Sequence, residues 1–153
     1  MSISNIKSII LRDLDALSTA IGQYPHSQML WEVLPGTSNS AGNLALHLIG
    51  NLRHFVGAII GKTGYIRNRE DEFNLKNLDK ETIQNLINTC KSEVETAFDK
   101  MDPADLDKEF AVEVSSKKSQ TGYVMLHLIS HFNYHLGQIN YHRRVLTSFP
   151  AEL

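Results

Sequence analysis

The chain has 153 residues, a formal net charge of −2 at pH 7 and 42% hydrophobic residues. This length and composition predict one domain over residues 1–153 with a substantial core. The slightly acidic charge, with Lys and Arg spread along the chain, argues against a nucleic-acid binder. The single cysteine, Cys90, excludes an internal disulfide framework and a zinc ribbon. Because neither a secretory signal nor an apolar run of membrane-spanning length is visible, we expect no membrane segment and a cytoplasmic protein.

The first predicted element is a helix over about residues 2–21, where isoleucines and leucines recur at spacings of three and four. Gly22 ends it. Residues 27–40 then read as a loop with one helical turn. The only tryptophan, Trp31, lies in this loop, and we interpret it as packing over a bundle end rather than stacking on a substrate.

The second predicted helix begins at Ser40 or Asn43 and runs to about Ile60. Leucines at helical spacing mark its core face. Beside that face runs a polar line at spacings of four and three. Its members are His47, Asn51 and His54.

A charged stretch over residues 62–78 follows, and we interpret it as an irregular, solvated connection. It is long for a connection in a bundle, and long loops often carry binding residues. Arg67 and Arg69 have the chemistry to bind a carboxylate or a phosphate. The acidic residues 70–72 beside them would partly neutralise such a pocket.

The third predicted helix is capped by Asp79 and continues to about Asp99. Cys90 lies on its apolar face, so we interpret it as a buried small hydrophobe rather than a nucleophile. After the helix, apolar and polar residues alternate over residues 109–115. This alternation predicts a short extended segment, paired locally or across a dimer.

The last predicted helix runs from about Gln120 to Leu146 and holds four of the seven histidines. His131 and His135 are four residues apart, a spacing that places two imidazole nitrogens within reach of one metal ion. The pair lacks the Glu of the more specific HExxH motif, so the spacing alone leaves two readings open, a metal site and half-buried polar residues. A polar line runs along one edge of this helix. Its members are His127, His131, His135, Gln138 and His142.

Four amphipathic helices with one long crossover predict an all-α protein, a four-helix bundle. If the second and last helices pack side by side, His47 faces the pair formed by His131 and His135. Three imidazoles would then leave coordination positions open for water or substrate. The alternative triplet of His127, His131 and His135 is disfavoured, because three successive turns of one helix span about 12 Å.

Three stretches of the chain together resemble the DinB/YfiT-like superfamily. The most specific part is the order of residues after the second histidine of the pair, where Gly137, Gln138 and Ile139 follow at fixed offsets. The resemblance covers nearly the whole chain. The stretches are NLALHLIGNLRHF at 43–55, YIRNREDEF at 65–73 and HLISHFNYHLGQINYHRR at 127–144.

The resemblance implies an up-down-down-up four-helix bundle, commonly a homodimer, with a divalent metal ion held near one end beside a pocket. Carried over by position, the ligands are His47, His131 and His135. Family members hold nickel or zinc, and the resemblance does not decide which metal this chain binds. Family members include metal-dependent transferases that add low-molecular-weight thiols to electrophiles, and a mycothiol-dependent isomerase.

Two functional hypotheses of different classes follow from this resemblance. One is a metal-dependent thiol S-transferase, or a related hydrolase or isomerase, acting on a small thiol and an electrophilic small molecule. The other is a non-catalytic, metal-binding, stress-associated interaction protein. A third reading, histidines that bind nothing tightly, is the least favoured because His47 and the pair match together. Residues that could orient a ligand or line the pocket are Asn51, His127 and Gln138.

Overall fold

Within residues 2–148, four long helices form a bundle, and a fifth, short helix lies in the crossover between two of them. The computed structural model describes residues 2–148. The helices are α1 (Ile3–Gly22), α2 (Ala41–Leu52), α3 (Arg69–Asn74), α4 (Lys80–Asp99) and α5 (Thr121–Ser148). Short 3₁₀ turns occupy Ser27–Trp31 and Pro103–Asp107. The predicted all-α four-helix bundle with a long crossover connection is therefore confirmed.

Side-chain caps fix where the long helices begin. The side chains of Ser2, Ser40 and Asp79 each accept a hydrogen bond from the backbone N–H three residues later. Such a cap satisfies one of the amide groups that a helix N-terminus leaves without an internal partner. The predicted cap at Asp79 is confirmed, and of the two starts predicted for the second helix, Ser40 and Asn43, the structure has Ser40 as the cap.

Contacts along α1 give its direction relative to two neighbours. It runs antiparallel to α4, since Lys7 pairs with Asp99 at 2.6 Å while Gln84 donates to the carbonyl of Ser18. It runs parallel to α5, because a residue in its middle and a residue just after its end contact successive parts of that helix. These contacts are Asn133 Nδ2 to Asp13 Oδ2 at 2.6 Å and Tyr24 Oη to the Ile139 carbonyl at 3.2 Å.

The remaining helix, α2, packs between α4 and α5. It runs parallel to α4, because Ile49 lies beside Cys90 and Arg53 pairs with Glu93 one turn further along both helices. The bundle is therefore up-down-down-up. Parallel neighbours require the chain to return along the length of the bundle, and residues 61–79 make this return.

Apolar side chains from all four long helices meet in one core. Trp31 packs on the first turn of α2, and its Nε1 donates to the Leu78 carbonyl at 3.0 Å, which agrees with the packing interpretation. Within residues 2–148, none of the helices has the length and apolar character needed to cross a bilayer. Fully buried members of the core include Leu14, Leu17, Ile21, Leu48, Leu52, Ile83, Ile87, Met125 and Leu128.

The second helix departs from the regular α-helix predicted up to Ile60. From Arg53 to Ile60 it continues as a π-helix, so that the N–H of Gly61 reaches the carbonyl of Val56 at 2.9 Å. The absence of a side chain at Gly61 lets this wider turn pack on α4. A Cβ there would lie 2.9 Å from the Cβ of Ala97.

The alternating segment after α4 pairs locally. Two isolated antiparallel bridges join Glu109 to Gln120 and Val114 to Lys117. Ser115 and Ser116 between the second pair both have positive φ, 52° and 60°, which gives the tight turn its shape. Of the two predicted pairings, the structure contains the local one.

Cys90 offers a direct test of the core. The thiol is buried, and burial raises its pKa to about 12, so it is protonated at pH 8. A thiol reagent such as Ellman's reagent attacks the thiolate, and we expect no reaction with the native protein and one equivalent in denaturant. Rapid reaction of the native protein at pH 8 would contradict the buried placement.

Candidate metal centre

Three imidazoles from two neighbouring helices converge at the interface between α2 and α5. His47 lies on α2, and His131 and His135 lie one turn apart on α5. One ring nitrogen of each residue lies within 4.8 Å of one ring nitrogen of the other two. Nε2 of His47 and Nε2 of His131 are 3.1 Å apart. The structure thus brings together the three histidines that the sequence and the family resemblance put forward as ligands.

The spacing of one pair of these nitrogens, that of His47 and His131, fits a metal ion. Two nitrogens bound at about 2.0–2.1 Å with an angle of roughly 90–109° between them lie about 2.8–3.4 Å apart. The 3.1 Å between His47 and His131 falls within that interval. Imidazole suits zinc, nickel, copper and iron alike. The donor set therefore fits a divalent ion of this group and does not choose among them.

Two of the imidazoles are held in the neutral form that binds metal. Burial, followed by the neighbouring His135 and His47, lowers the pKa of His131 to about 4. Burial also lowers the pKa of His135 below its usual value, although Gln138 acts in the opposite direction. Neutral imidazole is the ligand form, so at pH 7 these two rings are ready to bind without releasing a proton.

A buried carboxylate orients His47. Glu72 is 5% exposed, and its Oε2 lies 2.9 Å from Nδ1 of His47. Burial alone would raise the pKa of Glu72, but hydrogen bonds from Arg67 and His47 hold it below the usual value. The ionised carboxylate accepts the Nδ1–H of His47, which leaves Nε2 of that ring to face the other histidines.

Arg67 neutralises this buried charge. Its Nε and Nη2 donate to the two oxygens of Glu72 at 2.6 and 2.9 Å. We call Arg67 and Glu72 the charged clamp on His47. The sequence leaves open whether Arg67 binds an outside anion or is neutralised by the acidic residues beside it. In the structure its guanidinium pairs with one of those residues, Glu72. Arg69 lies over the ring of Phe73 instead.

The residues of the crossover that carry Glu72 are ordered, which corrects the prediction of an irregular, solvated connection. Residues 69–74 form α3, with the side chain of Asn68 capping it. Asn43 ties α3 to α2, since its Nδ2 donates to the carbonyls of Glu72 and Leu75, both at 3.0 Å. Asn68, with acidic residues in the next turn, is the sequence signal that could have found this helix.

Gln138 does for His135 what Glu72 does for His47. Its Oε1 accepts a hydrogen bond from Nδ1 of His135 at 2.6 Å, and its Nε2 donates to the hydroxyl of Tyr134 at 3.4 Å. The Nε2 atom of His135 is thereby left to face the cluster. The position of Gln138 agrees with the role that the sequence analysis gave it, and its effect on metal binding stays a prediction.

The other residues of the two polar lines lie outside the three-histidine cluster. The ring of His127 stacks on that of His131 with centroids 6.2 Å apart. Asn51 is half-buried, one turn along α2 from His47. His142 is buried elsewhere, between the hydroxyl of Tyr24 and the carbonyl of Glu32, both at 2.8 Å.

A cavity of about 510 Å³ opens beside the cluster. His135 and Gln138 form part of its lining, and the remainder comes from the loop before α2, the start of α2 and the outer face of α5. Cavities of this volume hold small organic molecules. The candidate metal centre therefore has a neighbouring space in which a second molecule could bind.

A substitution at Gly50 tests whether the charged clamp strengthens metal binding. A Cβ at this position would lie 2.9 Å from Cδ of Glu72, so we expect Gly50→Ala to displace the carboxylate and weaken metal binding about tenfold. The matched control is Gly137→Ala on α5, where a Cβ would meet nothing within 4 Å. The control should stabilise the helix by about 0.5–1 kcal/mol and leave the metal affinity unchanged. Equal metal affinities for the two variants, measured by competition with a chelator, would contradict this role.

The fold and the three facing histidines define a DinB-like protein. A solved structure described as a DinB-like protein from Bacillus cereus ATCC 10987 matches with a TM-score of 0.75, covering 95% of this chain and 93% of that chain. The two sequences are 16% identical, so this likeness shows the fold.

The chain itself belongs to the family described as protein of unknown function (DUF1572), whose model matches residues 3–149. That family is part of the DinB/YfiT-like clan, so the resemblance read from the sequence is confirmed. A comparison with curated proteins gave no match.

Proposed function

We propose that this protein is a divalent-metal enzyme that transfers a low-molecular-weight thiol to an electrophilic small molecule. One observation carries the proposal. Three imidazole nitrogens lie within 4.8 Å of one another, and one of the three histidines also lines a cavity of about 510 Å³. A metal-binding protein without a reaction needs no such space. The cavity therefore favours the enzyme over the alternative of a non-catalytic, stress-associated interaction protein.

In the proposed reaction, the metal ion activates the thiol, and the protein positions the ligands and the electrophile. A divalent metal ion at the three histidines supplies a Lewis acid, which lowers the pKa of a thiol or a water molecule. Glu72 and Gln138 hold His47 and His135 with Nε2 facing the cluster, and the cavity holds the electrophile. In the transfer, a carbon–sulfur bond forms as the bond from carbon to the leaving group breaks. The thiol proton passes to solvent, and the leaving group departs with its electron pair.

The test compares thiol-dependent turnover in loaded and metal-free protein. Wild type reconstituted with nickel or with zinc is incubated with cysteine or glutathione and an aryl halide, and the thioether is quantified by mass spectrometry. We expect thioether formation above the uncatalysed rate only with metal and only while His131 is present.

Two outcomes would overturn the transferase. Loss of the electrophile without thiol, with water in the product, would make the protein a hydrolase of the same metal-dependent class. Stoichiometric metal without turnover against a panel of electrophiles would favour the interaction protein.

The homodimer implied by the family resemblance stays a prediction. Tyr123 and Leu126, on the first turns of α5, are 63% and 50% exposed. We propose that a second copy of the chain covers them, since large exposed apolar side chains often mark an interface. Light scattering should give twice the chain mass for wild type and the single chain mass for Leu126→Lys. A wild-type monomer at high protein concentration would contradict the proposal.

A further inference from the structure

We infer that the cavity beside His135 binds an uncharged organic molecule that has a flat apolar body and a neutral hydrogen-bonding group. This inference rests on the proposed function and names the class of its electrophilic substrate. The cavity has two chemically different walls, and both of them point to the same class of molecule.

One wall is apolar and aromatic. Tyr134 and Tyr141 lie seven residues apart on α5, two turns along one face, and are 65% and 72% exposed. Val145 continues this face, and Leu34 and Leu44 face the cavity from the loop before α2 and from α2 itself. Aromatic rings with exposed faces stack on flat apolar groups. This wall therefore favours a molecule with a planar body.

The other wall is polar but uncharged. The loop before α2 contributes Thr37, Ser38 and Asn39, and α5 contributes Gln138. Gly36 has a φ of 79°, a left-handed turn conformation that favours glycine. The hydroxyls and amides of this wall donate and accept hydrogen bonds without a net charge. They match an amide, carbonyl, hydroxyl or nitro group of a ligand.

This lining discriminates by charge. Among residues 2–148, the side chains that line the cavity include hydroxyl, amide, imidazole, aromatic and aliphatic groups and no Lys, Arg, Asp or Glu. The guanidinium of Arg67 in the metal centre is paired with Glu72. In the metal-free protein, a carboxylate or an ammonium group that enters the cavity loses hydration without gaining a charged partner from the lining. A neutral group of the same shape pays a much smaller desolvation cost.

Three isosteric probes separate these cases: benzamide, benzoate and benzamidinium are planar and nearly equal in size and differ in charge. Their binding to full-length ¹⁵N-labelled protein is followed by NMR chemical shifts, with metal removed so that benzoate has no ion to bind. We expect benzamide to shift the amides of the Gly36–Asn39 loop and the side-chain amide of Gln138. Its affinity should exceed those of both ions by at least about tenfold. Benzoate or benzamidinium binding as tightly as benzamide, or no shift with benzamide, would overturn the inference.

A charge introduced into the polar wall tests whether the probes bind in this cavity. Ser38→Lys puts an ammonium group at an exposed position of the lining, and we expect it to raise the benzoate affinity by about tenfold. The control is Ser92→Lys, exposed on α4 and outside the lining, which should leave all three affinities unchanged. Equal benzoate affinities for the two variants would overturn the inference.

Metal content, measured on the same samples after reconstitution, separates this inference from the proposed function. Failure of the proposed function appears as protein that does not take up metal, or as loaded protein without turnover, whatever the probes do. Failure of the inference appears in the probe affinities of the metal-free protein, whatever the metal content.

Discussion

We expect wild type to bind a metal ion in near-stoichiometric amount after reconstitution with nickel or zinc, and His131→Ala to lose it. The variant removes one of the three ring nitrogens, the one that lies 3.1 Å from Nε2 of His47. We expect the dissociation constant to rise by more than about 100-fold, the upper end of the effect of residues that only orient a ligand. Elemental mass spectrometry on untagged protein measures the result directly.

His127→Ala is the matched control for this variant. His127 is also half-buried, lies one turn before His131 on the same helix and stacks on its ring. It lies outside the three-histidine cluster, so the control should keep its metal. Both metal-free variants should melt close to metal-free wild type, since each substitution removes a ring that is only half-buried. Wild type that takes up neither metal, or His131→Ala that retains it, would refute the centre.

Glu72→Gln is expected to have the second largest effect, and on two quantities at once. Metal affinity should fall by about 10–100-fold, because an amide holds His47 less strongly than a carboxylate does. The free energy of unfolding should fall by about 3 kcal/mol, because the 11% exposed side chain of Arg67 loses its partner. Urea denaturation and chelator competition measure these two quantities. Glu70→Gln, exposed two residues earlier, should change neither.

A double variant separates the two effects of Glu72. In Arg67→Met/Glu72→Gln no buried cation is left without a partner, so most of the lost stability should return. Metal affinity should stay low, because His47 still lacks its carboxylate. Recovery of metal binding in the double variant would show that the charged clamp acts on stability alone.

The decrease of the free energy of unfolding at acid pH should also be smaller in Glu72→Gln than in wild type. The native pKa of Glu72 lies below the usual value of 4.5. The carboxylate therefore contributes stability that is fully present above about pH 4.5 and is lost as the pH falls through the lower, native pKa. The variant should lack this part of the pH dependence.

The helices and the three histidines could be predicted from the sequence because their signals are local. Apolar spacing marks α1, α2, α4 and α5, and a spacing of four places His131 and His135 on one side of α5. Whether His47 faces them depends on which helices are neighbours. The family resemblance supplied that information, and spacing alone did not.

The charged clamp could not be predicted from the sequence, for a physical reason. Glu72 and His47 are 25 residues apart, and they meet because the crossover returns along α2. Arg67 and Glu72 are five residues apart and span the start of α3, a separation without a preferred helical pairing. In the sequence, Glu72 looks like its exposed neighbours in an acidic run.

The sequence also could not distinguish two histidines that lie on the same polar line but have different partners. His135 and His142 lie two turns apart on the same edge of α5, yet one joins the cluster and the other bonds to Tyr24 and Glu32. The spacing of residues gives the face of a helix. It does not say which neighbouring element covers that face at each turn.

The separation of the ligands along the chain has a consequence for biosynthesis. His47 and His131 are 84 residues apart, and His131 and His135 both lie on α5. A nascent chain that has not yet released α5 from the ribosome holds only one of the three imidazoles. The three imidazoles come together only once that helix has docked, so metal uptake at this site would follow closure of the bundle and would not guide the earlier helices to their places.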